Sequence, residues 1–216
     1  MSDGTVVTSA LIREGLEKLQ AETFAEGGLG FGADEVISTS VIQQGMARRY
    51  ENVLRDGTWG FCDGFIDFSH ELMDAWLLDV RSSLYVPGRG TYKTYRVHLF
   101  PNAVGWLEVF DEEILTKGIF GRPEDGNRPA NAADVRSELK AFPRTVDNIP
   151  QWMWDALRAE GITPPVYNSE LKTVDWDNKR LPVTDSGTDF SADPVIIDAS
   201  KEPGIFSKIG AKLFGS

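Results

Sequence analysis

Four stretches of the chain repeat their apolar side chains at the spacing of an α-helix. Ser9 and Ser69 can cap two of them, because a serine hydroxyl accepts a hydrogen bond from a first-turn N–H group. One stretch, 41–54, has the longest repeat and is followed by Asp56 and Gly57, which can end a helix. We therefore predict four helices, of which 41–54 is the clearest. The stretches are 10–25, 41–54, 70–81 and 150–160.

Alternation of apolar and polar side chains predicts strands in two further places. Residues 58–68 alternate large aromatic side chains with small ones. Residues 84–110 alternate on both sides of the turn 101–103, as expected for a hairpin. The loop 86–93 (VPGRGTYK) contains two glycines but lacks the Gly-Lys-Ser/Thr ending of a phosphate-binding loop. We interpret this loop as a hairpin tip or a partner-contact loop.

The pattern changes after residue 165. Prolines interrupt the chain at short intervals, and no segment keeps a helical or strand period for more than a few residues. Large apolar side chains are nevertheless present, which favours an extended arm that lays side chains or short added strands on another surface. The arm ends in segment 204–214, which has two lysines and no acid. The expected partner contacts are Trp176, Phe190, Ile196, Ile205, Phe206, Ile209, Leu213 and Phe214.

Together these elements predict an α+β fold. We expect a compact body of several helices packed on a small, mostly antiparallel sheet, with an extended C-terminal arm. The body covers residues 1–165, and its N-terminal helix can pack separately. The arm covers residues 166–216, is acidic, and ends in the short amphipathic segment 204–214. The aromatic-rich stretch 58–81 is expected to form the strand-to-helix centre of the body's core.

Charge and cysteine content narrow the class of protein. The 216 residues carry 33 acidic and 22 basic side chains, a formal net charge of −11. Nucleic-acid affinity depends on Lys and Arg neutralising phosphates, so we expect no direct sequence-specific nucleic-acid binding. One cysteine cannot form an internal disulfide, which favours a reducing compartment.

Membrane and export signals are not expected either. The first twenty residues lack a basic region followed by an apolar run, so we expect no signal peptide. No apolar run has the length of a transmembrane helix. Segment 204–214 is short, has two lysines and contains Gly210, so we expect it to contact protein and not membrane. The expected location is a virion or the host cytoplasm.

Candidate chemistry concentrates in residues 58–81. Asp67, His70 and Asp74 can form a site for a hard or borderline metal, because His70 and Asp74 are four residues apart on one helix face and Asp67 directly precedes that helix. The alternative is that these residues form the first turn and the solvent face of the helix. Cys62 is disfavoured as a nucleophile, because its acidic neighbours oppose thiolate formation.

A second chemical reading uses paired carboxylates. Two carboxylates that flank a sugar can hydrolyse a glycosidic bond, and several acids in this chain are near aromatic residues. In an acidic chain, such neighbours also arise by chance. The acids concerned are Asp63, Asp67, Asp111, Glu112 and Glu113.

The organisation of the chain favours an assembly role over catalysis. No catalytic motif stands out, the arm is irregular but apolar, and the C-terminal segment is distinct. We therefore expect a non-enzymatic structural subunit of a large multi-protein complex, such as a phage virion component of the neck, tail, baseplate or capsid-accessory type. Its expected partners are other subunits of the same assembly, as a homo-oligomer, and no cofactor is expected. The alternative is an acidic cytosolic enzyme with a carboxylate or metal site near Asp67, His70 and Asp74.

Overall fold

The computed structural model describes residues 4–43, 46–61, 70–110 and 131–197. The chain divides into two compact units, one of Met1–Arg81 and Tyr92–Asn127 and the other of Ser82–Thr91 and Arg128–Ser216. Neither unit ends at residue 165, and the predicted division there stays a prediction. Four helices and two antiparallel sheets in the described ranges confirm the mixed α+β class. These helices are α1 (Ala10–Phe24), α2 (His70–Ser83), α3 (Ala132–Ala141) and α4 (Gln151–Ala159).

The first unit contains a six-stranded antiparallel sheet. The order of its strands is β1-β6-β5-β2-β3-β4, so β1 and β4 are its edges. The strands are β1 (Thr5–Val7), β2 (Glu35–Gln43), β3 (Met46–Arg55), β4 (Thr58–Phe61), β5 (Thr94–Leu99) and β6 (Trp106–Phe110). The predicted hairpin across the turn 101–103 is confirmed, because β5 and β6 pair in antiparallel register.

The helix predicted over 41–54 is wrong. Its residues belong to β2 and β3, which pair from Glu35↔Leu54 to Gln43↔Met46. The pairs Val41-Ile42 and Val53-Leu54 therefore lie on two different strands, and their helix-like spacing comes from reading across a hairpin. The β-branched side chains of β2 pack well on a pleated surface, which favours a strand over a helix.

Helices α1 and α2 cover one face of this sheet. Strand β5 shows the alternation, because Tyr95, Val97 and Leu99 are buried while the intervening residues are only half-buried. On the covered face, Ser38 Oγ donates to Met73 Sδ of α2 at 3.5 Å. The two helices contact each other as well, because Trp76 Nε1 donates to the carbonyl oxygen of Leu11 at 3.1 Å. The predicted helices 10–25 and 70–81 are thus confirmed as α1 and α2.

The second unit contains helices α3 and α4 and a small antiparallel sheet. The predicted helix 150–160 is confirmed as α4, which packs with α3 around a buried cluster that includes Leu139, Met153 and Trp154. The capping box of Asn131 and Asp134 begins α3, because each residue's side chain accepts from the other's backbone N–H. The strands of the sheet are β7 (Val166–Asn168), β8 (Thr173–Trp176), β9 (Lys179–Thr184), β10 (Gly187–Thr188) and β11 (Val195–Ile196).

The extended arm predicted over 166–216 is not confirmed. Between residues 166 and 197 the chain forms the sheet β10-β9-β8-β7, and β11 pairs with β9. Val174, Trp176 and Leu181 form a small buried cluster within it. Residues 198–216, with the amphipathic segment 204–214, lie outside the described residues. The rest of the predicted strand 58–68, beyond Phe61, also lies outside them.

A buried tyrosine in the second unit predicts a loss of stability at alkaline pH. Tyr85 donates its hydroxyl proton to the carbonyl oxygen of Pro143 at 3.0 Å, and burial raises the pKa of this phenol far above its ordinary value of 10.0. Above pH 10.0 the Tyr85 phenol therefore stays protonated in the folded state, whereas it is ionised in the unfolded state. Stability from this group is complete below pH 10.0 and is lost as the pH rises above that value. We expect the free energy of unfolding to fall between about pH 9 and about pH 11, and to fall less steeply in Tyr85→Phe, as measured by urea denaturation. An equal slope in both proteins would contradict this assignment.

Candidate functional site

The face of the six-stranded sheet opposite α1 and α2, which we call the open face, combines charged, aromatic and apolar side chains. Strand register places these residues on one side, because Ile37 pairs with His98, His98 with Trp106, and Arg96 with Glu108. The same register extends the open face to both edges of the sheet. Its residues are Val6, Glu35, Ile37, Tyr50, Asn52, Leu54, Trp59, Arg96, His98, Trp106 and Glu108.

His98 lies between two carboxylates at the centre of the open face. Its Nδ1 is 3.1 Å from Glu35 Oε1, and its Nε2 is 3.3 Å from Glu108 Oε2. A neutral imidazole has one N–H group, whereas a doubly protonated ring can donate to both carboxylates. Arg96 adds a cation beside Glu108, because its Nη1 lies 3.6 Å from Glu108 Oε2. The result is a connected row of polar and charged side chains across β2, β5 and β6.

Trp106 joins this charged row to an aromatic group. Its ring stacks with the ring of His98, with centroids 4.6 Å apart and planes 16° apart. It also stacks with Phe100, with a centroid distance of 5.0 Å. The residue nevertheless keeps 37% of its surface exposed. A half-exposed indole beside paired charges is the composition of a protein-contact surface, where Trp and Arg are enriched.

Exposed apolar side chains continue the open face to its two edges. Val6 lies on edge strand β1, and Trp59 lies on edge strand β4; both are exposed. The opposite end of the same face differs, since Val41, Thr94 and Phe110 are buried there. The accessible part of the open face is therefore the end that carries Glu35, His98 and Trp106.

A second candidate surface lies on the small sheet of the second unit. Both side chains of β11, Val195 and Ile196, are exposed, and so is nearby Phe190. Within the described residues, β11 pairs with β9 alone, so its other side is a sheet edge. Ile197, the next residue, is buried and fixes the strand to the sheet. We call Phe190, Val195 and Ile196 the β11 edge.

The predicted contact residues divide between exposed, buried and undescribed positions. Phe190 and Ile196 are exposed on the β11 edge, whereas Trp176 is buried in the cluster of its own sheet. Lys140 Nζ lies 5.3 Å from the centroid of the Trp176 ring. Burial lowers the pKa of this ammonium group, and the charge of Arg136 lowers it further. Trp176 thus contributes to internal packing. Ile205, Phe206, Ile209, Leu213 and Phe214 lie outside the described residues.

The predicted metal ligands are only partly described. Asp74 contacts the buried guanidinium of Arg49, which also donates from Nε to Ser40 Oγ at 3.2 Å. This carboxylate therefore fixes α2 to the sheet through an ion pair. Asp67 and the side chain of His70 lie outside the described residues, so the metal site stays a prediction. In the parts of the chain that are described, no three His, Cys, Asp or Glu side chains form a metal-binding group.

Sequence reasoning missed the central residues of the open face. Arg96 and His98 are two positions apart in a predicted strand, so alternation alone places them on one side of the sheet. Glu108 could have been added from the predicted hairpin. Glu35 could not, because its approach to His98 depends on β2 pairing with β5, and that pairing joins residues about sixty positions apart.

Comparison with models of known protein families, with curated proteins and with solved structures finds no match. None of the helices in the described ranges has both the length and the apolar character needed to cross a membrane.

Proposed function

We propose that this chain is a non-enzymatic structural subunit of a large multi-protein complex, of the kind that forms the neck, tail, baseplate or capsid-accessory parts of a phage virion. In this proposal it acts in a virion or the host cytoplasm and binds other subunits of its assembly, including copies of itself. The observation that carries the proposal is the β11 edge, where Val195 and Ile196 are exposed on an edge strand and Phe190 is exposed in the turn that precedes it.

The β11 edge has the properties needed for the addition of a partner strand. An edge strand offers unpaired N–H and C=O groups, to which an extended segment of another chain can add. Ile197 N–H donates to Asn178 O at 2.8 Å, and N–H groups alternate in direction along a strand, so Val195 N–H also points towards β9. Pro194 has no N–H group, so within β11 an added strand can accept a hydrogen bond from Ile196. Burying a fully exposed Val or Ile side chain contributes about 1.5–3 kcal/mol. Two such residues beside Phe190 therefore supply both the register and the affinity of a short strand-addition site.

Introducing a charged side chain on the β11 edge tests the proposal directly. Ile196 is 64% exposed, so Ile196→Lys leaves the folded unit intact and places an ammonium group where the partner strand is expected. We expect association of the chain with its neighbours to weaken about tenfold or more, measured by native mass spectrometry and sedimentation velocity. Leu171→Lys is the matched control, because Leu171 is 52% exposed on the same unit but lies outside β11.

The two variants distinguish a specific contact at the β11 edge from nonspecific association through exposed apolar side chains. The proposal predicts a loss in Ile196→Lys and unchanged assembly in Leu171→Lys. Equal assembly of both variants and the unmodified chain would overturn the role of the β11 edge. A lone monomer at every concentration of the unmodified chain would count against self-assembly.

A further inference from the structure

We infer that residues 204–208 of this chain pair as an antiparallel strand with the outer side of β11 and so cover Val195 and Ile196. The pairing itself does not depend on the proposed function, whereas its consequence for assembly rests on that role. The starting observation is that Val195 and Ile196 are exposed on a sheet edge from which the chain continues directly. Residues 204–208 lie outside the described residues, and their fit to β11 follows from their sequence.

The exposed side chains of β11 require a particular kind of partner strand. Val195 is 59% exposed and Ile196 is 64% exposed. Consecutive residues of a strand point to opposite faces of the sheet, so these two side chains are exposed on different faces. A strand that covers both must itself carry two consecutive large apolar residues. Ile205 and Phe206 are the first such pair after β11.

The two apolar pairs define a register. With Phe206 opposite Val195 in an antiparallel pair, Ile205 lies opposite Ile196. A directly opposed pair such as Phe206 and Val195, aromatic against β-branched, contributes about 0.2–1 kcal/mol. The register therefore covers both exposed side chains of β11, one on each face of the sheet.

A charged pair falls into the same register. Asp193 is exposed, and Pro194 after it favours an extended backbone at Asp193. Asp193 is two residues before Val195, so an extended backbone places both side chains on one face. The register that sets Phe206 opposite Val195 also sets Lys208 opposite Asp193. Opposite charges directly across two strands are stabilising, so the apolar and the charged positions select one alignment.

The hydrogen-bonding groups of β11 also suit this register. Ile197 N–H donates on the β9 side at 2.8 Å, so the N–H and C=O groups of Ile196 point outward. In the proposed pairing, Ile196 and Ile205 exchange two hydrogen bonds, and the carbonyl oxygen of Pro194 accepts one from Ser207 N–H. Pro194 has no N–H group, and this absence leaves one bond of the set unformed.

The distribution of charge along the chain favours the same partner. Residues 181–198 contain four acids and no base, whereas residues 203–216 contain two lysines and no acid. None of the described acids of the first segment is buried. A basic, apolar segment is therefore attracted to the β11 edge, whereas a second acidic edge is repelled. The acids are Asp185, Asp189, Asp193 and Asp198, and the lysines are Lys208 and Lys212.

The length of the connection favours pairing within one chain. Six residues, 198–203, join Ile197 to Gly204, and hairpin loops commonly reverse the chain within about two to five residues. A tether this short holds residues 204–208 near β11 at an effective concentration in the millimolar range. The same residues of a second copy compete only when the protein itself reaches such concentrations. We therefore assign the covering strand to the same chain.

A covered edge limits assembly. An exposed edge strand pairs readily with other chains, and proteins cover such edges to prevent this. Residues 204–208 use the same outward groups of Ile196 that a partner strand needs. A partner that binds the β11 edge must therefore displace them, so the C-terminal segment competes with assembly.

A disulfide tests the register in the full chain. Val195→Cys and Phe206→Cys are introduced together in a Cys62→Ser background, which removes the chain's one cysteine. Residues opposite each other in a non-hydrogen-bonded pair have Cα atoms about 4.5 Å apart, which is within the range of a disulfide. We expect mild oxidation to convert both thiols into a bridge within one chain, as measured by thiol titration and by mass spectrometry of the monomer.

The matched control moves one cysteine by a single residue. Val195→Cys with Ile205→Cys places the two thiols on opposite faces of the sheet, and we expect both thiols to stay free. A missing bridge in the first protein, or equal bridging in both proteins, would overturn the register. A bridge that forms only in covalent dimers would place the strand on a neighbouring copy and overturn pairing within one chain.

Charge reversal tests the register without cysteines. Lys208→Glu sets two acids opposite each other, and we expect the amide of Ile196 to lose its protection from hydrogen exchange. Adding Asp193→Lys to Lys208→Glu should restore the protection, because it restores a pair of opposite charges. Lys212→Glu is the matched control, since Lys212 lies outside residues 204–208. Unchanged protection in Lys208→Glu, or no recovery in the double variant, would contradict this register.

A third variant tests the competition with assembly. Phe206→Asp in the full chain removes the side chain that covers Val195, and we expect association to become about tenfold tighter, measured by native mass spectrometry and sedimentation velocity. Phe214→Asp is the matched control, because it makes the same change outside residues 204–208 and should leave association unchanged. Unchanged or weaker association in Phe206→Asp would overturn the competition.

Failure of this inference is distinguishable from failure of the proposed function. The absence of a bridge between residues 195 and 206, together with weakened assembly in Ile196→Lys, would overturn the covering strand and leave the β11 edge as an assembly site. A bridge within the monomer, together with unchanged assembly in Ile196→Lys, would support the covering strand and overturn the assembly role of the edge.

Discussion

Gly90→Ala is expected to lower the free energy of unfolding of the second unit by about 3 kcal/mol or more. Gly90 has a φ of +91°, which an L side chain rarely adopts. An added Cβ would also lie 2.3 Å from Nε and 2.5 Å from Cζ of Arg144. Arg144 is buried and cannot easily move, because its guanidinium donates to the carbonyl oxygens of Thr91 at 3.0 Å and Asn148 at 3.3 Å. Backbone strain and steric overlap therefore act together at this position.

Gly161→Ala separates the two contributions. Gly161 belongs to the same unit and has a φ of +65°, but an added Cβ there would meet no atom within 4 Å. We expect this control to lose about 1 kcal/mol, the cost of the left-handed backbone alone. Urea denaturation of both variants and the unmodified chain measures the difference. Equal losses of unfolding free energy in the two variants would show that Arg144 moves aside and that steric overlap at Gly90 contributes nothing to the destabilisation.

The loop around Gly90 shows where sequence reasoning stops. The glycines of 86–93 predicted a turn correctly, but their partner is more than fifty positions away. Gly88 N–H donates to Pro143 O at 3.2 Å, and Thr145 N–H donates to Gly88 O at 2.9 Å. These contacts anchor the loop within its own unit, so it is not the free hairpin tip that the sequence suggested. Glycines in a sequence indicate that another part of the chain can approach the backbone closely at those positions, whereas the fold determines which residues do so.

Local signals sufficed wherever an element is defined by its own residues. Helices α1, α2 and α4 each have an apolar face that recurs at helical spacing, and α1 has a cap at Ser9, whose Oγ accepts from Ile12 N–H at 3.2 Å. The β5–β6 hairpin has its strands next to each other in sequence, so alternation and one turn were enough to predict it. In all these cases the interactions that define the element span few positions.

Residues 41–54 and 166–197 needed information that is not local. In the first case, Val41 and Ile42 lie on β2 whereas Val53 and Leu54 lie on β3, so the apolar repeat that suggested one helix is spread over the two strands of a hairpin. In the second, strands of two to six residues are too short to display a period, and each gains stability only by pairing with a neighbour. Charge pairs such as Asp175 with Arg180 then look like scattered polar residues in the sequence.

The same limit applies to the candidate site. The sequence predicted a site in residues 58–81 because aromatic, cysteine, histidine and acidic residues are adjacent there. In the structure, Asp74 of this stretch forms an ion pair with Arg49. The open face gathers residues from six strands, one to three from each, and no segment of the chain contains more than a part of it. Sheet surfaces are assembled across strands, so their composition follows from topology.

Asp175→Asn is expected to destabilise the small sheet by about 3 kcal/mol. Asp175 and Arg180 pair directly across β8 and β9, and the guanidinium donates from Nε and Nη2 to the two carboxylate oxygens, both at 2.7 Å. Only 3% of the Asp175 side chain is exposed, so water cannot replace the lost carboxylate. An amide offers one acceptor oxygen and two donors, which leaves part of the guanidinium fork without an acceptor.

Asp177→Asn supplies a control of the same chemistry two residues along the chain. Asp177 also pairs with an arginine, Arg136 at 2.6 Å, but 59% of its side chain is exposed, and such a pair contributes only about 0–1 kcal/mol. Asparagine tolerates the positive φ of 50° at this position, so the substitution changes charge alone. Urea denaturation should therefore give a large loss for Asp175→Asn and almost none for Asp177→Asn. Equal losses would mean that burial does not decide the strength of these pairs, and that the 166–197 sheet is stabilised mainly by its apolar cluster.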